Sequence, residues 1–230
     1  MKTLVIDTSS TAASIAVIED GVVLGEYTLH TIQTHSQKLM PMVDQLLSHL
    51  DLKIRDMDRF AVCEGPGSFT GVRIGLAAVK AFAQPYNKPV CTFSSMKLLA
   101  AAFAHYEGMV LSALDAKRGT VYYGLYRWRL GHLETIAEGV EDVTMLLEDV
   151  ATRYMDQYLV CTGDATWIYQ DAFDKMLGTA PAIRITGKRT SVPNASNFRY
   201  IEDAVSEAVE YNDVKANYMK KSQAERDLIK

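Results

Sequence analysis

The sequence predicts an α/β fold built as two lobes, each a mixed sheet flanked by helices. Three observations predict it. Three strand-like segments follow one another from the N-terminus with only short polar turns between them, which is the mark of an antiparallel meander. Helical and strand-like segments then alternate, as they do where parallel strands are joined by crossover helices. Gly108 interrupts that alternation and a new strand begins, and a length of 230 residues leaves room for a second compact lobe.

Taken in order, residues 1–7 and 13–18 read as strands, and Asp20-Gly21 is a strong hairpin signal into a third strand over 22–29. Residues 35–50 carry Leu39, Val43, Leu46 and Leu50 at helical spacing, with Pro41 close enough to the start to be tolerated. A short apolar strand over 60–63 runs into a glycine-rich loop, and a second helix spans about 71–84, stopped by Pro85. A strand over 89–92 follows, then Ser94-Ser95 caps a third helix to about residue 105. The order so far is βββαβαβα. Beyond a boundary placed near residue 106, strands are expected over 109–114, 120–128 and 158–161. Helices are expected near 142–154, 165–177 and, as a long element, 194–211. This second half shows fewer strands than the first. The lobes are thus residues 1–105 and 106–230, with the final helix and tail able to pack back on the first lobe.

Composition narrows the functions. Apolar residues make up 48% and charged ones 23%, so disorder is excluded as the dominant state. No apolar run reaches the roughly 18 residues needed to span a bilayer, and Asp7 arrives before a signal-peptide core could form. A soluble, unexported, cytoplasmic protein with no membrane partner is expected. The net charge of −4 disfavours direct, strong nucleic-acid binding, although residues 215–230 are locally basic. The three cysteines, Cys63, Cys91 and Cys161, stand far apart with no C-x-x-C pair, which suits a reducing compartment.

Few residues are placed to do chemistry. Asp7, Thr8, Ser9 and Ser10 occupy the turn after the first strand, where a carboxylate, hydroxyls and amides could hold a phosphate or a hydrated cation. The same residue types are also ordinary turn formers. Gly65, Gly67, Ser68, Thr70 and Gly71 form a loop between a strand and a helix, a natural anion site. Yet no Lys-Ser or Lys-Thr follows, the third glycine is one place late for the dinucleotide fingerprint, and Pro66 stands where a nucleophile elbow needs glycine. A tight structural turn explains the loop equally well. Asp115, Lys117 and Arg118 at a strand end are candidates for contact with an anion, or simply a solvated turn. His30, His35, His49, His105 and His132 form no H-x-x-x-H pair, so no metal is expected.

Three stretches stand out together: Leu4-Val5-Ile6-Asp7-Thr8-Ser9, the block from Gly65-Pro66-Gly67-Ser68-Phe69-Thr70-Gly71 through Val72-Arg73-Ile74-Gly75, and Asp115-Ala116-Lys117-Arg118. Together they closely resemble the TsaB (YeaZ) family. His35-Ser36 and Tyr218-Met219-Lys220 fit as well. The family is the small subunit of the bacterial machinery that makes threonylcarbamoyladenosine in tRNA. The resemblance implies an actin-like, Hsp70 and sugar-kinase ATPase fold with two ribonuclease-H-like lobes, the second reduced. It implies a non-catalytic scaffold that binds the larger relative TsaD, helps TsaE dock, and meets tRNA only through the complex. It leaves both a monomer and a homodimer open as the state of the isolated chain. No tightly bound cofactor is implied, with ATP or ADP a candidate at the partner interface. Against TsaD's metal-binding histidine motif, this chain follows His35 with Gln37, Lys38 and Leu39, so TsaD's catalytic residues do not carry over. The competing readings are an autonomous ATPase or kinase on the same fold and, more remotely, a metalloprotease of the older glycoprotease label.

The first-lobe helices are the candidate partner surface. Apolar residues of the first helix cover an arc of roughly 160°, wider than the roughly 100° stripe that covers a core. Leu46 belongs to that arc, Met40, Met42 and Leu47 lie toward its edges and are expected to be partly uncovered, and His35 opens the helix. In the second helix Gly71, Gly75 and Ala78 form a small-residue face. It would admit another helix or, alternatively, serve close packing within the lobe.

Overall fold

The computed structural model describes residues 1–30, 35–188, 191–205, 207–217 and 219. The chain divides into two compact units. Met1–Ala102 and Pro193–Ala216 form the first, and Phe103–Val192 form the body of the second.

In the first unit, β1 (Lys2–Asp7), β2 (Ala12–Glu19) and β3 (Val22–His30) make the meander. At the β2–β3 hairpin Asp20 and Gly21 both adopt positive φ, 49° and 79°, the pair of left-handed residues that a two-residue hairpin demands. Helix α1 (His35–His49), β4 (Arg59–Gly65), α2 (Phe69–Ala83), β5 (Val90–Ser94) and α3 (Ser95–Ala101) follow. The five strands lie in the order β3-β2-β1-β4-β5, with β1 parallel to β4 and β4 parallel to β5. Ser68 and Ser94 cap α2 and α3, each side chain accepting a first-turn amide.

The second unit repeats the plan. Its elements are β6 (Met109–Asp115), β7 (Thr120–Arg129), β8 (His132–Asp142), α4 (Val143–Tyr154), β9 (Leu159–Thr162), α5 (Ala165–Ile168), α6 (Gln170–Leu177) and β10 (Ile183–Ile185). The sheet order is β10-β9-β6-β7-β8, with β6 antiparallel to β7 and parallel to β9. Two sequence expectations are corrected here. The second sheet has five strands, as many as the first, because β8 and β10 were not visible in the sequence. The single helix expected over 165–177 is two, divided at Tyr169.

The long helix expected over 194–211 is also corrected. Only two 3-10 segments occur there, Ala195–Tyr200 and Glu202–Ala204. Ala195, Phe198 and Ile201 are buried and spaced by three, which is the 3-10 period rather than the α period. This segment packs on the first unit. Phe198 meets Phe93 at 5.3 Å between ring centroids and lies beneath the Arg59 guanidinium at 5.7 Å. Arg59 pairs with Glu202, the Ala195 amide donates to Ser14 Oγ at 2.8 Å, and Ser196 donates twice to the Glu26 carboxylate. Val90 and Val209 form a bridge, and Val214 enters the first core. Tyr218 and Lys220 and the basic run 220–230 lie outside the described residues.

The first core lies between sheet and helices, with Leu4, Ile6, Leu39, Met42, Val43, Leu46, Leu47, Phe60 and Val79 among its buried members. Met42 and Leu47 are only 2% and 5% exposed, which corrects the expectation that both stand partly uncovered. Met40 does stand out, at 51%. Among the described residues no helix is long and apolar enough to cross a membrane.

Candidate functional site

The β1–β2 turn is the hub of the first unit. Asp7 ends β1, and its Oδ1 accepts the Ser9 amide at 2.8 Å, closing an Asx turn. Thr8 Oγ1 donates to the Gly71 carbonyl at 2.7 Å, and the Ser9 carbonyl accepts the Ser68 amide, also at 2.7 Å. The Ser10 carbonyl faces His35 Nε2 at 2.7 Å. One short turn therefore holds the starts of both α1 and α2.

The glycine block is shaped by that contact. A Cβ on Gly67 would stand 2.2 Å from the Ser9 carbonyl oxygen, one on Gly71 2.0 Å from that of Thr8, and one on Gly75 2.6 Å from Thr8 Oγ1. The small-residue face of α2 is filled by the turn of its own lobe. Gly71 and Gly75 thus supply close packing inside the lobe, which corrects their reading as room for an outside helix. Ala78 is half-buried against the same core.

Two of the amides expected to grip a phosphate, those of Ser68 and Gly71, are already used. The Ser68 amide is bonded to Ser9, and the Gly71 amide to Ser68 Oγ at 3.1 Å. Asp7, Thr8 and Ser9 are buried, so the carboxylate does not present itself to a solvent-borne ion. Gly65 is buried too, whereas Ser68 and Thr70 are exposed at the head of α2. Burial pushes the Asp7 carboxyl above its usual range, against the opposing pull of the Ser9 amide, the Ser9 and Cys63 side chains and the His35 charge. Burial, chiefly, also raises the Cys63 thiol well above the ordinary thiol value.

The second unit carries an equivalent strand end. Asp115 closes β6, the strand that sits in its sheet as β1 sits in the first. Its Oδ1 accepts the Lys117 amide and the Tyr169 hydroxyl, both at 2.8 Å, and its Oδ2 accepts Lys117 Nζ at 2.7 Å. Burial would raise this carboxyl, but the bonds from Lys117 and Tyr169 prevail and hold it below its usual range. The Tyr169 phenol is pushed up to about 12 by burial and by Asp115. Asp164 Oδ1 accepts the Asp115 amide at 2.7 Å, and burial raises the Asp164 carboxyl.

Lys117, Arg118 and Gly119 have successive φ of 66°, 62° and 75°. The first two are left-handed conformations that cost about 1–2 kcal/mol each for residues with a Cβ. The Lys117 bonds to Asp115 offset part of that cost. Of the anion candidates, Lys117 is thus committed to Asp115, and Arg118 is exposed. Sequence reasoning missed Asp164 and Tyr169. Gly163-Asp164 directly after β9, a strand end like Asp115, was the available signal. Among the described residues no group of three or more His, Cys, Asp or Glu could hold a metal ion.

Comparison with known proteins places this architecture. The family model for TsaD, tRNA N6-adenosine threonylcarbamoyltransferase, matches residues 23–225. The TsaB protein of Bacillus subtilis, a tRNA threonylcarbamoyladenosine biosynthesis protein, is 32% identical over 231 residues, covering 100% of this chain and 98% of its own. The TsaB protein of Haemophilus influenzae is 29% identical over 84% of this chain and 80% of its own. YeaZ from Pseudomonas aeruginosa superposes with a TM-score of 0.77 at 27% identity, over 94% of this chain and 99% of its own. Component A of an Acidaminococcus fermentans 2-hydroxyglutaryl-CoA dehydratase, 13% identical, shares the fold at a TM-score of 0.50. With a βββαβαβα start, twin five-stranded mixed sheets and this full-length similarity, the chain has the actin-like ATPase fold and belongs to the TsaB (YeaZ) family of tRNA threonylcarbamoyladenosine biosynthesis proteins.

Proposed function

We propose that the chain works as a non-catalytic subunit of the machinery that makes threonylcarbamoyladenosine in tRNA. In this reading it binds TsaD, helps TsaE dock, and reaches tRNA only through that complex, while the isolated chain can pair with itself. The observation that carries it is the inward commitment of the first-unit loop. The Ser68 and Gly71 amides are bonded to Ser9 and Ser68, and Asp7 is fully buried. A nucleotide phosphate would have to break these bonds, so any ATP or ADP is expected to bind at a partner interface and not in this loop alone.

The surface offered to TsaD is the exposed side of α1 and α2. Met40, Asp44, Leu52, Lys53, Ile54 and Phe82 line a groove of about 520 Å³ there, and His35 stands half-buried at the head of α1. Leu47 lines the same groove, and Met42 and Leu46 are buried in the core of the same lobe. A methionine at such an edge adapts to the shape of what it meets.

The test is Met40→Lys, mixed with purified TsaD and followed by sedimentation, alongside calorimetric titration of the wild-type chain alone with ATP. Lost association at an unchanged melting temperature, with no ATP binding by the chain alone, is expected. Micromolar ATP affinity with hydrolysis would overturn the scaffold reading in favour of an autonomous ATPase.

A further inference from the structure

Two hairpins of the chain share one turn geometry and fill it differently. Glu19 and Val22 close the first around Asp20-Gly21, whose φ are 49° and 79°. Arg129 and His132 close the second, between β7 and β8, around Leu130-Gly131, whose φ are 52° and 80°. Aspartate suits that left-handed position because its short polar side chain can bond locally, and Asp20 also pairs with the N-terminal ammonium. Leucine has no such bond to make, and its Cβ is strained there.

Burial does not return the cost. Leu130 is 78% exposed, more than any other large hydrophobic side chain among the described residues. Exposure alone would need no explanation, since single apolar residues are common on surfaces. Exposure on a left-handed backbone does need one, because asparagine or aspartate would make the turn more stable. The arm beneath the turn is anchored, with Trp128 buried and its amide donating to the Gly108 carbonyl at 2.9 Å. What Leu130 gains therefore has to come from outside the fold.

The tip is basic as well as apolar. Arg127 stands in register with Glu134, which leaves Arg129, opposite His132, as the cation at its end. The α1 groove has the complementary character. Leu47, Leu52, Ile54 and Phe82 give it buried or half-buried apolar walls, and Met40 stands exposed beside them. Asp44 and Asp51 are exposed along it, against one cation, Lys53. Its volume of about 520 Å³ admits a leucine side chain. A leucine has nothing to bond on an RNA backbone, and one apolar side chain is too little to hold a membrane. A protein pocket of this kind suits it.

We propose that the β7–β8 tip docks on a second copy of this chain, Leu130 of one copy entering the α1 groove of the other and Arg129 facing Asp44 and Asp51 there. The contact is heterologous, since tip and groove are different surfaces. It rests on the self-pairing proposed above and gives that pairing its two surfaces.

Sedimentation of the full chain at rising concentration tests it, with Leu130→Asn to remove the tip and Met40→Lys to set a cation against Arg129 at the groove. Wild type should associate, and each variant alone should stay monomeric. An equimolar mixture of the two variants should recover association and stop at pairs, because one intact tip and one intact groove remain. A mixture that stays monomeric overturns the proposal. So does Leu130→Asn associating like wild type, which would leave self-pairing standing on another surface. Wild type that stays monomeric removes both the self-pairing and the docking. In dilute urea melts Leu130→Asn should also lower the unfolding constant about fivefold as the turn is relieved. An unchanged or raised constant would refute the strain from which the inference starts.

Discussion

Gly75 gives the sharpest test of what the glycine block does. It sits inside α2, where alanine would ordinarily stabilise the helix by about 1 kcal/mol. The structure opposes that gain, because an alanine Cβ would stand 2.6 Å from Thr8 Oγ1. Relieving the clash would shift the turn or rotate Thr8 away from the Gly71 carbonyl that it now bonds at 2.7 Å. Overpacking of this kind costs about 1–3 kcal/mol, and the lost hydrogen bond about 1 kcal/mol more. Gly75→Ala should therefore destabilise the wild-type chain by about 1–3 kcal/mol. Thr8→Ala removes the obstructing oxygen, and the next contacts, Val62 Cγ2 at 3.4 Å and Ile6 Cγ2 at 3.8 Å, leave room. In that background Gly75→Ala should stabilise by about 1 kcal/mol. The quantity to measure is the coupling energy of the double-mutant cycle from urea melts, expected at about 2–4 kcal/mol. A coupling below about 0.5 kcal/mol, the ordinary limit of additivity, would refute the argument that Thr8 is why residue 75 is glycine.

Two further outcomes follow from the packing. All three cysteines are buried, and burial raises each thiol, that of Cys161 to about 12. A thiolate-specific reagent at pH 8 should label none in the native chain and all three in urea, and labelling before unfolding would contradict the burial. Phe198 is fully buried against Phe93, so Phe198→Ala should cost about 3–5 kcal/mol in urea unfolding. A loss below 1 kcal/mol would mean that the returning segment does not complete the first unit.

How much was legible depends on how local each signal was. The meander was readable because Asp20-Gly21 fixes a hairpin by backbone conformation alone, and because Leu39, Val43 and Leu46 mark α1 with its own period. Strand β8 was not readable, because it is a sheet edge rich in Glu134, Glu138 and Glu141 with a largely exposed or half-buried run of side chains. Such composition protects an edge from pairing with another chain, and the same composition erases the alternation that betrays a strand. Met42 and Leu47 misled for a related reason. A helical wheel gives the width of the apolar arc but not how much of it the lobe encloses, and here both residues fall within the first core. The segment around Phe198 carried a readable clue, the strict spacing of three in Ala195, Phe198 and Ile201.

The hub was the least legible feature, although every residue in it had been noticed. Asp7-Thr8-Ser9 and the glycine block stand some sixty residues apart, and each alone satisfies the description of an anion-binding turn. Only their approach decides between a site and a joint. When the Thr8 and Ser9 carbonyls come within about 2 Å of where Cβ atoms would lie on Gly71 and Gly67, the glycines are explained without a ligand. What remains unexplained by packing is then small and specific, a buried carboxyl oxygen with nothing to bind. A residue-type motif marks where chemistry could occur, but the hydrogen-bond ledger of the folded chain decides which groups are still free to perform it.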